Sequence, residues 1–154
     1  MKRILVLTVT LWAMQAGAAA PYDDKMIAAI AKKTHSTKAE VTASLDTGCD
    51  SGVTPYMQEC AMYHAEAADI KLNAVYEQLL KKLQGTRGKE RLPKAQRAWL
   101  AFRDVNCKFE ASSWEGGTGH GITLISCETN MTQRRTIELE NYLHCDSAGC
   151  PGSD

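Results

Sequence analysis

The chain has no surplus of charge of either sign: 18 Lys and Arg stand against 18 Asp and Glu. So weak a field argues against non-specific nucleic-acid binding and gives little steering toward a basic partner. Strand patterning is nearly absent, so an all-β or α/β fold has no support. There is no C-x-x-C, which argues against a thiol redox centre or a zinc site built on such a pair. The four histidines, His35, His64, His120 and His144, include no H-E-x-x-H and no pair at i, i+4, so no metal is expected. No G-x-S-x-G marks a serine nucleophile, and no fingerprint marks a phosphate cradle, so no cofactor is expected either. Internal repeats and low-complexity tracts are missing too.

What is present begins with an address. Residues 1–20 combine the basic pair Lys2 and Arg3, an apolar stretch over 4–14, and the small residues Gly17, Ala18, Ala19 and Ala20. That is the layout of a signal peptide, and its apolar stretch is too short to span a bilayer. Pro21 disfavours a cut directly before it, so cleavage after Ala18 or Ala19 fits better than after Ala20. The reading is a soluble periplasmic or secreted protein, without nucleic-acid binding or membrane insertion. Without Lys2 and Arg3 the formal charge falls from +0 to about −2.

Six cysteines in an exported chain imply disulfides: Cys49, Cys60, Cys107, Cys127, Cys145 and Cys150. Pairing in chain order is favoured. Cys107 and Cys127 would flank the loop between two antiparallel helices, Cys145 and Cys150 would close a short tail, and Cys49 with Cys60 would pin the approach to a long helix. The alternative joins Cys60 to Cys107.

Helical periodicity organises the rest. Residues 22–45 read as two short helices, with Met26, Ile27, Ile30 and Ala31 on one face. Ser36 or Thr37 caps the second, and Glu40 falls in its first turn. The stretch 30–41 also resembles part of bacterial DNA-binding helical proteins, a likeness of composition and capping chemistry in an exported chain. After a turn-rich connector over 47–55, a first long helix is expected over 55–83. Its buried stripe is Ala61, Ala65, Ala68, Leu72, Val75, Leu79 and Leu83. A second helix starts near Lys89 or Leu92, with Pro93 in its first turn and Leu92, Gln96, Trp99, Phe102, Asn106 and Phe109 facing inward. A third runs from Ile122 or Thr123 to about His144, burying Leu124, Cys127, Met131, Leu139 and Tyr142. The fold class that follows is all-α, a disulfide-linked three-helix core with a small N-terminal helical hairpin. The expected division is signal peptide 1–20, N-terminal helical extension 21–48 and helical domain 49–150.

Within the helices lies an unusual set of polar residues. Ala68-Asp69, Leu72-Asn73 and Tyr76 precede Ala95-Gln96-Arg97-Ala98-Trp99 and Phe102-Arg103-Asp104, and Thr132, Arg135 and Leu139 follow. This succession, AD-x-x-LN-x-x-Y, AQRAW-x-x-FRD-x-x-C and T-x-x-R-x-x-x-L, resembles the secreted bacterial family of LprI-like lysozyme inhibitors. The likeness covers Cys49 to about Cys150, and the AQRAW/FRD part is its specific portion. It implies a protein that binds lysozyme in the cell envelope and blocks peptidoglycan cleavage.

Two groups of residues compete for a role. Asp69, Asn73, Gln96, Arg97, Arg103, Asp104 and Arg135 are read as a structural network in which arginines and carboxylates satisfy one another between packed helices. His64 is expected as a half-buried packing residue. The glycine-rich loop over 112–121 is the candidate partner-binding surface, through Ser113, Trp114, Glu115, Thr118 and His120, the last of these exposed. Glycines let a loop approach another surface closely, and a tryptophan beside small polar residues has an interface anchor's composition. The plainer reading makes the loop a connector with Trp114 folded on the core. No catalytic residue is assigned and no enzyme is expected. Three functions stand in order: lysozyme inhibition; binding of another envelope partner, for example as an immunity-like protein; and cell-wall hydrolysis through Asp69, Asp104 or Glu115. Sequence leaves the oligomeric state open.

Overall fold

The computed structural model describes residues 22–146 and 149–153; the signal-peptide reading of 1–20 lies outside them. Among the described residues there are five α-helices, a single 3-10 turn and no strand, which is the all-α fold the periodicity required. Helix α1 (Asp24–Thr34) starts where the Asp23 carboxylate accepts the amides of Lys25 and Met26, both at 2.9 Å. It stops at His35, whose φ of 58° is left-handed. Helix α2 (Lys38–Thr47) opens on a reciprocal capping box between Thr37 and Glu40 and ends at Gly48, φ 88°.

This hairpin sits on the first turns of α3 (Thr54–Lys82). Ile27, Ile30, Ala31, Val41 and Leu45 close around Cys60, which is bonded to Cys49. Beside them the buried Glu59 carboxylate accepts the hydroxyls of Ser36 and Ser44, one from the α1–α2 turn and one from α2.

Helix α4 (Gly88–Ala111) returns antiparallel to α3, and α5 (His120–His144) runs parallel to it. Ala61 and His64 of α3 lie by Ile122 and Ser126 of α5. At the other end Lys82 Nζ reaches the carbonyls of Tyr142, Leu143 and Cys145. A cation there suits the negative end of the α5 dipole. The α3 stripe is as the sequence required: Ala61, Ala68, Leu72, Val75, Leu79 and Leu83 are buried, and Ala65 is half-buried.

The other two long helices are rotated from expectation. On α4, Leu92 and Gln96 are buried and Trp99 and Asn106 half-buried, but Phe102 and Phe109 are 60% and 77% exposed. The reason is Cys107, fully buried and tied to Cys127 of α5. At about 100° per residue, fixing Cys107 inward sends Phe102 and Phe109 roughly 140–160° away. On α5 the buried face is Thr129, Thr132, Arg135, Thr136 and Leu139, whereas Leu124, Cys127, Met131 and Tyr142 are half-buried. Threonines serve there because the facing part of α3 is alanine-rich, and Thr129 and Thr136 hand their hydroxyl protons to the carbonyls of Ile125 and Thr132. Pro93 lies in the second turn of α4, not the first, since that helix begins at Gly88.

Gly88 itself meets the C-terminal tail. Its amide donates to the carbonyl of Gly152 at 3.2 Å, and the tail, closed by Cys145–Cys150, crosses the α3–α4 turn.

Candidate functional site

Helix α5 packs against both α3 and α4, but α3 and α4 hardly touch each other. Their splay leaves a cleft of about 400 Å³ between them. From α3 it is lined by Asp69, Leu72, Asn73 and Tyr76, which helical spacing puts on one face. From α4 come Pro93, Gln96, Arg97, Leu100 and Arg103. Of the polar set met in the sequence, Asp69, Asn73, Gln96, Arg97 and Arg103 therefore border an open cleft, whereas Asp104 and Arg135 do not line it.

Only part of that set is used in holding the helices together. Arg135, 8% exposed, donates from Nε to Gln96 Oε1 at 3.0 Å and from Nη1 to Glu138 at 2.6 Å. Arg103 binds Asp104 through Nε at 3.0 Å and Nη2 at 2.9 Å, and Thr132 through Nη1 at 3.1 Å. Both guanidinium groups lie over the Trp99 ring, at 5.4 Å for Arg103 and 5.8 Å for Arg135. Asp69 stands 3.7 Å from Arg103 and is half in solvent. Asn73 and Arg97 are exposed, and among the described residues neither side chain has a hydrogen-bond or ion-pair partner. The expected structural network thus extends to Gln96, Arg103, Asp104 and Arg135, loosely to Asp69, and not to Asn73 or Arg97.

Electrostatics around Arg103 are uneven. Loss of solvent raises the Asp69 carboxyl above its ordinary range; Arg103 pulls it back and Glu66 and Asp104 push the same way as burial. Glu128 is raised for the same first reason, against the pull of Arg103. Glu138 moves down because the Tyr142 hydroxyl donates to it and Arg135 adds its charge. Asp69 and Asp104 share one arginine, while Glu115 lies in the distant glycine loop.

That loop follows α4 through the 3-10 turn Ser112–Trp114 and is closed by Cys107–Cys127. Ser113, Glu115 and Thr118 are exposed. Trp114 is 55% exposed and lies over Gly119, where an added Cβ would stand 3.1 Å from the ring. His120 is half-buried, not exposed, because it begins α5. His64 is exposed, not half-buried, and stands edge-on to Tyr63 at 6.1 Å. It also approaches the sulfurs of Cys49 and Cys60, but these are spent in a disulfide, so the trio is no metal site as it stands.

Residues 48–139 match the family described as "Lysozyme inhibitor LprI". The chain belongs to the LprI lysozyme-inhibitor family. The matched span contains α3, α4 and most of α5, and with them the cleft and the glycine loop. An uncharacterized protein of Rhizobium meliloti (strain 1021) is 30% identical over 96 residues, covering 54% of this chain and 69% of the relative. No solved structure matches. Among the described residues of this LprI-family chain, no helix is long and apolar enough to cross a membrane.

Sequence reasoning missed the Glu59 clamp and the cleft. The one available signal for Glu59 was an acid adjoining the cysteine that opens the buried stripe. Nothing in the sequence announced the cleft, because helical spacing says which residues share a face and not whether a neighbour covers it.

Proposed function

We propose that this chain is an exported envelope protein that binds lysozyme and inhibits it, sparing peptidoglycan. Membership of the LprI family over 48–139 is the observation that carries the reading. We read the chain as a binding protein, not an enzyme, with residues 1–20 as a cleaved signal peptide, 21–48 as a helical extension and 49–150 as the family domain.

The glycine loop is the surface we assign to the enzyme. An inhibitor of a two-carboxylate glycosidase must fill its cleft or offer its acids a competing partner, and this requires a projecting segment. The loop joins α4 to α5 and is closed by Cys107–Cys127, with Trp114 and Phe109 in solvent. Trp114 is the anchor; Ser113, Glu115, Thr118 and His120 supply polar contacts around it.

The test is the rate of cell-wall clearing by lysozyme with the mature, oxidised protein added in micromolar excess. Slowing is expected, and an unchanged rate sinks the reading in favour of another envelope partner. Trp114→Ala should weaken inhibition by about 2 kcal/mol, roughly thirtyfold, with little effect on the melting temperature. Mass spectrometry of the exported protein should place its N-terminus just after Ala18 or Ala19.

A further inference from the structure

The cleft between α3 and α4 is separate from the glycine loop: its lining residue nearest the loop along α4, Arg103, is nine residues before Ser112, about 14 Å along the helix direction. Its volume of about 400 Å³ is at the lower end for a small-molecule site, and suits one or two sugar rings better than a segment of protein.

The groups left unsatisfied within the protein define what would fit. Arg135 holds Gln96 Oε1, which leaves the Gln96 amide nitrogen without a partner among the described residues. The Asn73 amide, the Tyr76 hydroxyl and all of the Arg97 guanidinium are equally uncommitted. Asp69 adds an acceptor whose ion pair with Arg103 is loose, at 3.7 Å. Donors and acceptors thus stand on two facing walls, as adjacent hydroxyls on a ring require. Tyr76, Leu72 and Leu100 offer apolar surface for the ring's C–H face. Among the described residues, no second aromatic lines the cleft to clamp a nucleobase against Tyr76. Of the two arginines, Arg103 is already taken by Asp104, and Arg97 remains as a single planar fork, the geometry that grips a carboxylate.

We propose that the α3–α4 cleft is a binding site for an acidic sugar, a hydroxylated ring bearing one carboxylate, with Arg97 on the carboxylate and Asp69, Asn73 and Gln96 on the hydroxyls. Two sources share that chemistry: sugars carrying a lactyl ether acid, as in cell walls, and uronic acids.

Titration of the mature, oxidised chain separates them, using N-acetylmuramic acid and glucuronic acid beside their neutral counterparts N-acetylglucosamine and glucose. At least one acid should bind about tenfold more tightly than its counterpart. Tighter binding of N-acetylmuramic acid assigns the site to wall sugar, and tighter binding of glucuronic acid to uronic acids. Arg97→Gln should erase the preference without shifting the melting temperature, and Asn73→Ala should weaken acid and neutral forms alike. The proposal falls if neither acid binds at about 10 mM, if acid and neutral forms bind equally, or if Arg97→Gln leaves the preference intact. It falls also if the dipeptide D-alanyl-D-alanine outcompetes both acids. No lysozyme enters this titration, so its failure and a failure of inhibition are read separately.

Discussion

Two glutamates on α5 respond to pH in opposite senses. Glu138 accepts from Tyr142 and Arg135, so its folded-state pKa lies below the unfolded value. Its contribution is therefore full above the unfolded pKa and is lost as pH falls through the folded one. Glu128 is raised by loss of solvent, so its ionised form opposes folding at neutral pH, and that opposition fades as pH falls. Melting curves between about pH 7 and pH 3 should separate them. Glu138→Gln should lower the melting temperature at pH 7 and flatten its decline in acid. Glu128→Gln should raise it slightly at pH 7, a stability gain of about a few tenths of a kcal/mol given how much solvent screens the group, and not at all in acid. A gain for Glu128→Gln that persists below both pKa values would refute burial as the cause. Legibility at this scale was partial. The sequence singled out Arg103 and Arg135 as polar residues on helix faces, but gave no means of telling them from Arg97, which the fold leaves in solvent.

At the scale of elements, the helix ends were the most legible part, because caps and glycines act within a few residues of themselves. Thr37 with Glu40 starts α2, and Gly48 stops it, on local chemistry alone. Thr37→Ala should cost about 1 kcal/mol in urea unfolding. The junction between α4 and the tail is the opposite case. A Cβ on Gly88 would collide with the Gly152 carbonyl oxygen, so Gly88→Ala must push the tail off the α3–α4 turn. Limited proteolysis should then clip the tail faster while the long helices stay protected. Equal resistance in the variant would show that the tail does not depend on this approach. No local pattern foretold that contact, since its partners are 64 positions apart in the chain (152 minus 88).

Taken whole, the molecule has two apolar centres on one long helix. One is the hairpin around Cys60, and the other is Leu72, Val75, Leu79, Leu83, Leu92 and Leu139. Between them α3 and α5 meet through small and hydroxylated residues, so the two centres need not open together. Cys49–Cys60 and the Glu59 clamp hold the first. Replacing both cysteines by serine should cost about 2–3 kcal/mol. Hydrogen exchange should then rise in α1 and α2 with little change around Leu79 and Leu139. Uniform loss of protection would mean that a single cooperative unit spans both centres.

Periodicity, caps and cysteine spacing were enough to determine an all-α chain with a long alanine-to-leucine stripe on α3, and the AQRAW/FRD run was enough to point to the family. These follow from interactions between residues near in sequence or from the composition of one helix face. The rotation of α4 and α5 and the gap between α3 and α4 were decided only in three dimensions. Spacing on α4 favoured a face with Phe102 and Phe109 inward, and burial of Cys107 against Cys127 turned the helix so that both lie in water. Because α5 holds α3 and α4 apart, Asp69, Asn73 and Arg97 border a cleft instead of pairing inside a core.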